Sequence, residues 1–174
     1  MSQITVRSVA YQIDGQPYES RVAFDADQKG PRPGLLMAPN WMGVSAGAEE
    51  IAKAVAAKGY VVLIADLYGQ SVRPQNNDEA GAAMMPLKND RPLLRKRMQV
   101  AFEQLQSQGE AAVDTSKLAT FGFCFGGCCA LEFARTGAPV KAAVSFHGTL
   151  DTPDVNDAKN IKGSVLVLHG ASDP

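Results

Sequence analysis

The chain has 174 residues, of which 45% are hydrophobic and 20% charged, and its formal net charge is −1. This length and composition are typical of one globular domain with a sizeable core. The near-neutral charge excludes strong attraction to nucleic acid or an anionic membrane, and no apolar run approaches the roughly 20 residues that span a bilayer.

The cysteines and the N-terminal segment bear on the compartment and on metals. Cys124, Cys128 and Cys129 form an odd, clustered set, which makes a poor disulfide framework. Because no Cys/His group elsewhere completes a zinc-type ligand set, we expect no metal. Residues 1–7 lack the basic start and hydrophobic stretch of a signal peptide. We therefore expect a cytoplasmic protein, with Cys128 and Cys129 as core-filling side chains.

The first elements in chain order are strands. Residues 4–13 and 18–24 alternate loosely between apolar and polar side chains, with Asp14-Gly15-Gln16-Pro17 between them. This pattern predicts an antiparallel hairpin. Three elements are predicted next: a strand over 33–38, an alanine-rich helix over 46–58 that Gly59 ends, and a buried strand over 60–65.

The second half continues the alternation of strands and helices. Residues 66–90 are polar and irregular, so we expect a long loop there. The elements predicted after it are helices over 93–108 and 128–134 and strands over 117–121, 140–146 and 164–169. This order predicts an α/β fold, with a mostly parallel sheet and helices on both faces.

The segment Gly122-Phe123-Cys124-Phe125-Gly126-Gly127 carries the clearest functional signal. Gly-x-Cys-x-Gly between a strand and a helix has the spacing of a nucleophile elbow. So sharp a turn needs strained backbone angles, and side chains two positions to either side would collide. The positive end of the following helix favours a thiolate. The pattern predicts covalent catalysis by Cys124, and the alternative is an inert buried thiol.

Four stretches together resemble the dienelactone hydrolase family of α/β-hydrolases. They are residues 38–44 (APNWMGV), 65–69 (ADLYG), the elbow, and 166–174 (LVLHGASDP). The resemblance implies the α/β-hydrolase fold and hydrolysis of a carboxylic ester or lactone through a cysteine acyl-enzyme. It also implies that the substrate is a small molecule and that no cofactor is needed.

The resemblance assigns roles to individual residues. Cys124 matches the nucleophile, and Asp173 matches the acid that orients a catalytic histidine, although Asp173 could instead cap a helix. The backbone N–H groups of Phe125 and Trp41 match the two oxyanion-hole donors. His147 ends a predicted strand near the rim of the site, so we place it in the substrate pocket; a structural hydrogen bond is the alternative.

The sequence departs from the family pattern in two places. Asn40, which we also place in the pocket, stands where the dienelactone hydrolases proper carry a glutamate that contacts the thiol. Asparagine cannot take a proton, so that switch is missing or activation relies on histidine alone. In the family order the catalytic histidine follows the acid, whereas His147 and His169 both precede Asp173.

These departures shape the overall hypothesis. We expect residues 1–174 to be one α/β-hydrolase domain that is incomplete at its C-terminus, before the last strand and the histidine loop. The alternatives are a genuinely short protein and a histidine supplied by His147 or a neighbouring chain. An uncovered sheet edge would then favour a homodimer.

Two other functions are compatible with the sequence, and one basic segment has a predicted place in the fold. A catalytically inactive α/β-hydrolase-fold binding or scaffold protein is the main alternative function, because the triad is incomplete. A cysteine-elbow enzyme of the class I glutaminase type is another. A basic run, Arg91, Arg95, Lys96 and Arg97, is predicted to be a solvated helix face.

Overall fold

The computed structural model describes residues 3–173. Within them, seven strands form one sheet in the order β1-β2-β4-β3-β5-β6-β7. The strands are β1 (Ile4–Ile13), β2 (Gln16–Asp25), β3 (Arg32–Ala38), β4 (Val61–Ile64), β5 (Val113–Phe123), β6 (Ala142–Phe146) and β7 (Ser164–Leu168). The α-helices are α1 (Ala46–Ala56), α2 (Asn77–Asn89), α3 (Arg91–Gln106) and α4 (Phe125–Arg135), and a short 3₁₀ helix spans Val155–Asn160.

The hairpin predicted at the N-terminus is confirmed. β1 and β2 pair antiparallel from Ile4 opposite Asp25 to Ile13 opposite Gln16. The two loop residues, Asp14 and Gly15, have φ angles of 50° and 77°. Positive φ at both central positions matches the right-handed twist of a two-residue hairpin. β2 also pairs antiparallel with β4, and the remaining strands pair in parallel.

Helices cover both faces of the sheet, as predicted. Alternate residues of β4 belong to two separate cores: Val61 and Leu63 pack into one, and Val62 and Ile64 into the other. The larger core contains α3 and α4 side chains such as Phe102, and the smaller contains the buried alanines of α1. This division follows from the two-residue period of a strand covered on both sides.

The prediction of a loop over 66–90 is wrong for Asn77–Asn89, which form helix α2. The helix begins with an N-cap: Asn76 Oδ1 accepts the Glu79 N–H at 2.9 Å, and Asn76 Nδ2 donates to the Glu79 carboxylate at 2.9 Å. Pro86 lies inside the helix and breaks its apparent helical pattern in the sequence. The helix therefore depends on its cap and on packing that composition does not reveal.

The sheet is less covered toward β7. The β7 side chains Val165, Leu166, Val167 and Leu168 are 37–51% exposed. On the α1 face, an apolar cleft of about 530 Å³ lies between α1 and the strands β5 and β6. Homodimer formation through this edge stays a prediction. None of the helices in residues 3–173 has the length and apolar character to cross a membrane.

Candidate active site

The nucleophile candidate occupies a sharp turn. β5 ends at Phe123 and α4 begins at Phe125, so Cys124 is the single residue between strand and helix. Its φ and ψ are 56° and −122°, a strained conformation for a residue with a Cβ. Its N–H donates to the Phe146 carbonyl at 2.9 Å, and its carbonyl accepts from the Gly127 N–H at 2.9 Å. Cys124 is partly exposed, which contradicts the buried-thiol alternative.

Glycines let backbone pack directly on backbone around this turn. A Cβ at Gly126 would overlap the carbonyl oxygen of Ala38 and lie 2.5 Å from that of Pro39. A Cβ at Gly122 would overlap the Gly126 carbonyl oxygen and lie 2.8 Å from that of Ala38. These neighbours are main-chain atoms that cannot rotate away, so both positions require glycine.

The loop after β3 is a tight turn in which two main-chain N–H groups donate hydrogen bonds within the turn itself. The Gly43 N–H donates to the Asn40 carbonyl at 2.9 Å, and the Met42 N–H donates to Asn40 Oδ1 at 3.0 Å. The Trp41 N–H lies between them and has no hydrogen-bond acceptor within the described chain. An Asx turn of this kind leaves Trp41 as the amide available to a ligand.

The place of Asn40 differs from the expectation. Its amide oxygen holds the Met42 N–H, and the residue lines a neighbouring cleft of about 250 Å³ with Met42 and Phe123 rather than the cavity beside Cys124. No pattern in the sequence indicates this position, because the turn geometry decides where the Asn40 side chain points. The structure thus gives Asn40 a role in shaping the loop.

A cavity of about 290 Å³ opens beside Cys124. Trp41, Phe125 and Met84 form its apolar walls, and Lys88 and His147 are among its polar residues. Met84 and Lys88 come from α2, so the loop prediction missed them. Their spacing of four residues, which places two side chains on one helix face, is the signal that could have found them.

The structure brings His147 and Asp173 together at the carboxyl ends of β6 and β7. The main-chain N–H of His147 donates to the Leu168 carbonyl at 2.7 Å, and the ring atom Nδ1 lies 3.9 Å from Asp173 Oδ2. Half of the His147 side chain is exposed. His147 is at the pocket, as expected, and Asp173 lies in the turn that follows β7.

The prediction of a solvated face is confirmed for one member of the basic run, Lys96, which is exposed. The three arginines of the run are buried or half-buried. Arg91 is 5% exposed; its Nη1 donates to Cys128 Sγ at 2.9 Å, and its Nη2 donates to Asp151 at 2.8 Å. Arg95 donates to the fully buried Glu132 at 2.9 Å. Since Glu132 lies 37 positions from Arg95 in the chain, local sequence cannot reveal the pairing.

The two other cysteines fill the core beneath the elbow, as predicted. Cys128 and Cys129 are both fully buried. Burial raises the pKa of the Cys128 thiol even though the nearby Arg91 charge works in the opposite direction. Burial also raises the pKa of Cys129. Neither thiol is suited to act as a nucleophile near neutral pH.

Comparison with known proteins places this geometry in context. The family model that matches is described as the dienelactone hydrolase family, over residues 20–174. A Bradyrhizobium protein named "Probable 2-oxo-3-(5-oxofuran-2-ylidene)propanoate lactonase" is 31% identical, over 82% of this chain and 57% of its own length. A Yersinia pestis protein named "Putative carboxymethylenebutenolidase" is 28% identical, over 91% of this chain and 62% of its own length. The chain thus spans less than two thirds of these relatives.

Solved structures agree with the fold. A dienelactone hydrolase-like promiscuous phosphotriesterase, P91 from metagenomic libraries, is 38% identical with a TM-score of 0.91, and the match covers 98% of this chain and 70% of that one. A dienelactone hydrolase from Anabaena variabilis is 22% identical with a TM-score of 0.73, over 98% of this chain and 76% of that one. The α/β-hydrolase fold is therefore confirmed.

Proposed function

The chain belongs to the dienelactone hydrolase family, and on that premise we propose that it hydrolyses a carboxylic ester or lactone through a thioester on Cys124. One observation carries the proposal: a strained, partly exposed cysteine shares a cavity with Trp41 and Phe125. Within residues 3–173, the N–H groups of both residues lack a hydrogen-bond acceptor. A nucleophile beside two available amides is the arrangement that acyl transfer needs.

The proposed reaction has two halves. Cys124 Sγ attacks the carbonyl carbon, and the Trp41 and Phe125 N–H groups donate to the oxyanion that forms. When the intermediate collapses, the C–O bond breaks, and the alcohol leaves with the proton that a histidine has taken from the thiol. Water then attacks the thioester, the C–S bond breaks, and the carboxylic acid leaves as the thiol is restored. Loss of one such donor typically costs about 2.7–4 kcal/mol of transition-state stabilisation.

Asp173 is the acid in this proposal, and the histidine has two candidates. His147 lies 3.9 Å from Asp173 and lines the cavity, whereas the family order implies a histidine that follows the acid. We favour the family order, with His147 as a pocket residue. His147→Gln should then leave acylation of Cys124 within about twofold of wild type. A larger loss would assign the proton transfer to His147.

The nucleophile is tested by acylation with p-nitrophenyl acetate. The wild-type chain should release one burst of p-nitrophenolate and gain the mass of one acetyl group on Cys124. Cys124→Ala should lose both signals, whereas Cys129→Ala, which removes a buried thiol of the same helix, should keep them. Absence of acetylation in the wild-type chain, or its persistence in Cys124→Ala, would overturn the proposal.

A second candidate activity is hydrolysis of a phosphotriester. The similarity to the promiscuous phosphotriesterase, at 38% identity, favours it. With paraoxon as the substrate, Cys124 would attack phosphorus, and a P–S bond would form as p-nitrophenolate leaves. Water would then cleave the P–S bond. Paraoxon should therefore add a diethylphosphoryl mass to Cys124, and an unmodified wild-type chain would exclude this activity.

The alternative of an inactive binding module is not favoured. The family match and the two relatives named as a lactonase and a carboxymethylenebutenolidase agree with a hydrolase instead. The glutaminase alternative has no support either, since the family model covers residues 20–174.

A further inference from the structure

We infer that Tyr68, in the loop after β4, is a positioning residue that holds both proposed oxyanion amides at a fixed spacing. This inference rests on the proposed function. Tyr68 lines no part of the Cys124 cavity. It lies in the stretch 65–69 that resembles the family, but the sequence assigns it no role. It nevertheless contacts both Trp41 and Phe125.

The first contact fixes the turn after β3. Tyr68 Oη donates to the Trp41 carbonyl at 3.0 Å. The Tyr68 ring also lies against the same turn, because a Cβ at Gly43 would be 3.0 Å from Tyr68 Cδ2. Gly43 has a φ of 68°, so it needs glycine for its conformation as well as for this close approach. The hydroxyl and the ring together limit how far the Trp41 amide can move.

The second contact reaches the elbow. The rings of Tyr68 and Phe125 are stacked, with centroids 6.4 Å apart and planes inclined by 12°. Phe125 is 4% exposed, so its ring cannot shift without opening the core. A single side chain therefore joins the two residues whose N–H groups would bind the oxyanion.

Tyr68 is itself held by a buried carboxylate. Asp66 is 1% exposed, and its Oδ1 accepts the N–H groups of Tyr68 at 3.1 Å and Gly69 at 3.0 Å. Its Oδ2 accepts from the Glu19 N–H at 2.9 Å and from Arg73 at 3.2 Å. Four donors fix this carboxylate, which in turn fixes the backbone from which the Tyr68 side chain extends.

The hydroxyl of Tyr68 keeps its proton at neutral pH and so remains a hydrogen-bond donor. Burial raises the pKa of Tyr68 above its usual value, and the proximity of Cys129 and Cys124 raises it further. A tyrosine that keeps its proton can donate to the Trp41 carbonyl, whereas a tyrosinate could only accept. The contact with the turn thus stays intact at neutral and moderately alkaline pH.

Two reactions of the same sulfur separate an oxyanion role from a structural one. Acylation by p-nitrophenyl acetate passes through an oxyanion, whereas alkylation by iodoacetamide displaces iodide directly and forms none. In Tyr68→Phe, which keeps the ring, we expect the acylation rate of Cys124 to fall about tenfold. We expect the alkylation rate to stay within about twofold of wild type, because the sulfur and its turn are unchanged.

Tyr60→Phe is the matched control. It removes a tyrosine hydroxyl on the α1 face of the sheet, where Tyr60 packs against the smaller core, and within residues 3–173 this hydroxyl has no hydrogen bond to Trp41, Phe125 or Asp66. Both reactions of Cys124 should proceed in this variant as in wild type. If the wild-type chain is not acylated, the proposed function fails. If Tyr68→Phe is acylated at the wild-type rate, or loses both reactions equally, the inference about Tyr68 fails while the function stands.

Discussion

On the elbow side of the site, main chain packs directly on main chain, whereas on the β3 side a turn is held by side chains. Gly122 and Gly126 let the start of α4 rest on the carbonyls of Ala38 and Pro39. The turn that carries Trp41 is instead fixed by Asn40 Oδ1 and by the Tyr68 hydroxyl.

The difference predicts different tolerance to change. A contact between backbones has no side chain that can be exchanged, so any added atom moves the strand or the helix. A turn held by two side-chain hydrogen bonds can lose one of them and keep most of its geometry, at a cost of about 1 kcal/mol. A single substitution at the elbow should therefore disrupt its whole backbone geometry, whereas a single substitution at the turn should reduce its stability only in part.

The largest effect is expected at Gly126. In Gly126→Ala the new methyl group would overlap the Ala38 carbonyl and approach that of Pro39. We expect a loss of about 3 kcal/mol or more in the free energy of unfolding, measured by urea denaturation. Gly81→Ala is the control, since a Cβ there meets nothing within 4 Å inside α2. It should gain about 0.5–1 kcal/mol. A Gly126→Ala variant as stable as wild type would show that backbone contact does not hold the elbow.

A smaller effect is expected at Tyr68 in alkaline solution. Burial raises its pKa in the folded protein, so the unfolded chain loses the proton first, near pH 10. Above that pH the unfolded state binds fewer protons than the folded state. The contribution of Tyr68 to the free energy of unfolding is therefore fully present below about pH 10 and falls as the pH rises toward the pKa of Tyr68 in the folded protein.

The tyrosine contribution can be isolated by substitution. Between about pH 8 and about pH 11, wild type should lose about 1.4 kcal/mol more stability than Tyr68→Phe, which has no proton to lose at this position. The measurement is urea denaturation at both pH values. Equal losses in the two proteins would mean that Tyr68 is not desolvated as the structure indicates, and the side-chain half of the comparison would lose its main support.

The sequence predicted the backbone turn at Cys124 well and the contacts of the loop after β3 poorly. The glycines that the elbow needs lie within five positions of one another, so their spacing carries the geometry. The hydrogen bond from Tyr68 to Trp41 spans 27 positions, and no local pattern reports it. The sequence did place Trp41 on the loop after β3, which borders the cavity beside Cys124, because that inference came from a family motif.

The same limit explains the errors elsewhere. Gly81 and Pro86 predict a loop, whereas in the structure Asn76 and Glu79 cap the helix α2. A run of basic residues predicts a solvated Arg91, because its partners Cys128 and Asp151 lie 37 and 60 positions away. Apart from α2, the order of strands and α-helices needs only local periodicity and is predicted correctly. Contacts that decide side-chain roles depend on the tertiary fold.

The smallest effect is expected at Asn40, where two matched variants isolate the contribution of the turn. Asn40→Ala removes the acceptor of the Met42 N–H and should slow acylation of Cys124 about fivefold, the equivalent of ~1 kcal/mol. Asn76→Ala removes the same kind of acceptor at the start of α2 and should cost about 1 kcal/mol of stability while acylation stays unchanged. Because the two variants lose the same chemical group, a difference between their acylation rates would come from the turn alone. Equal rates would mean that the Trp41 amide keeps its position without Asn40, and the turn would then be as firmly fixed as the elbow.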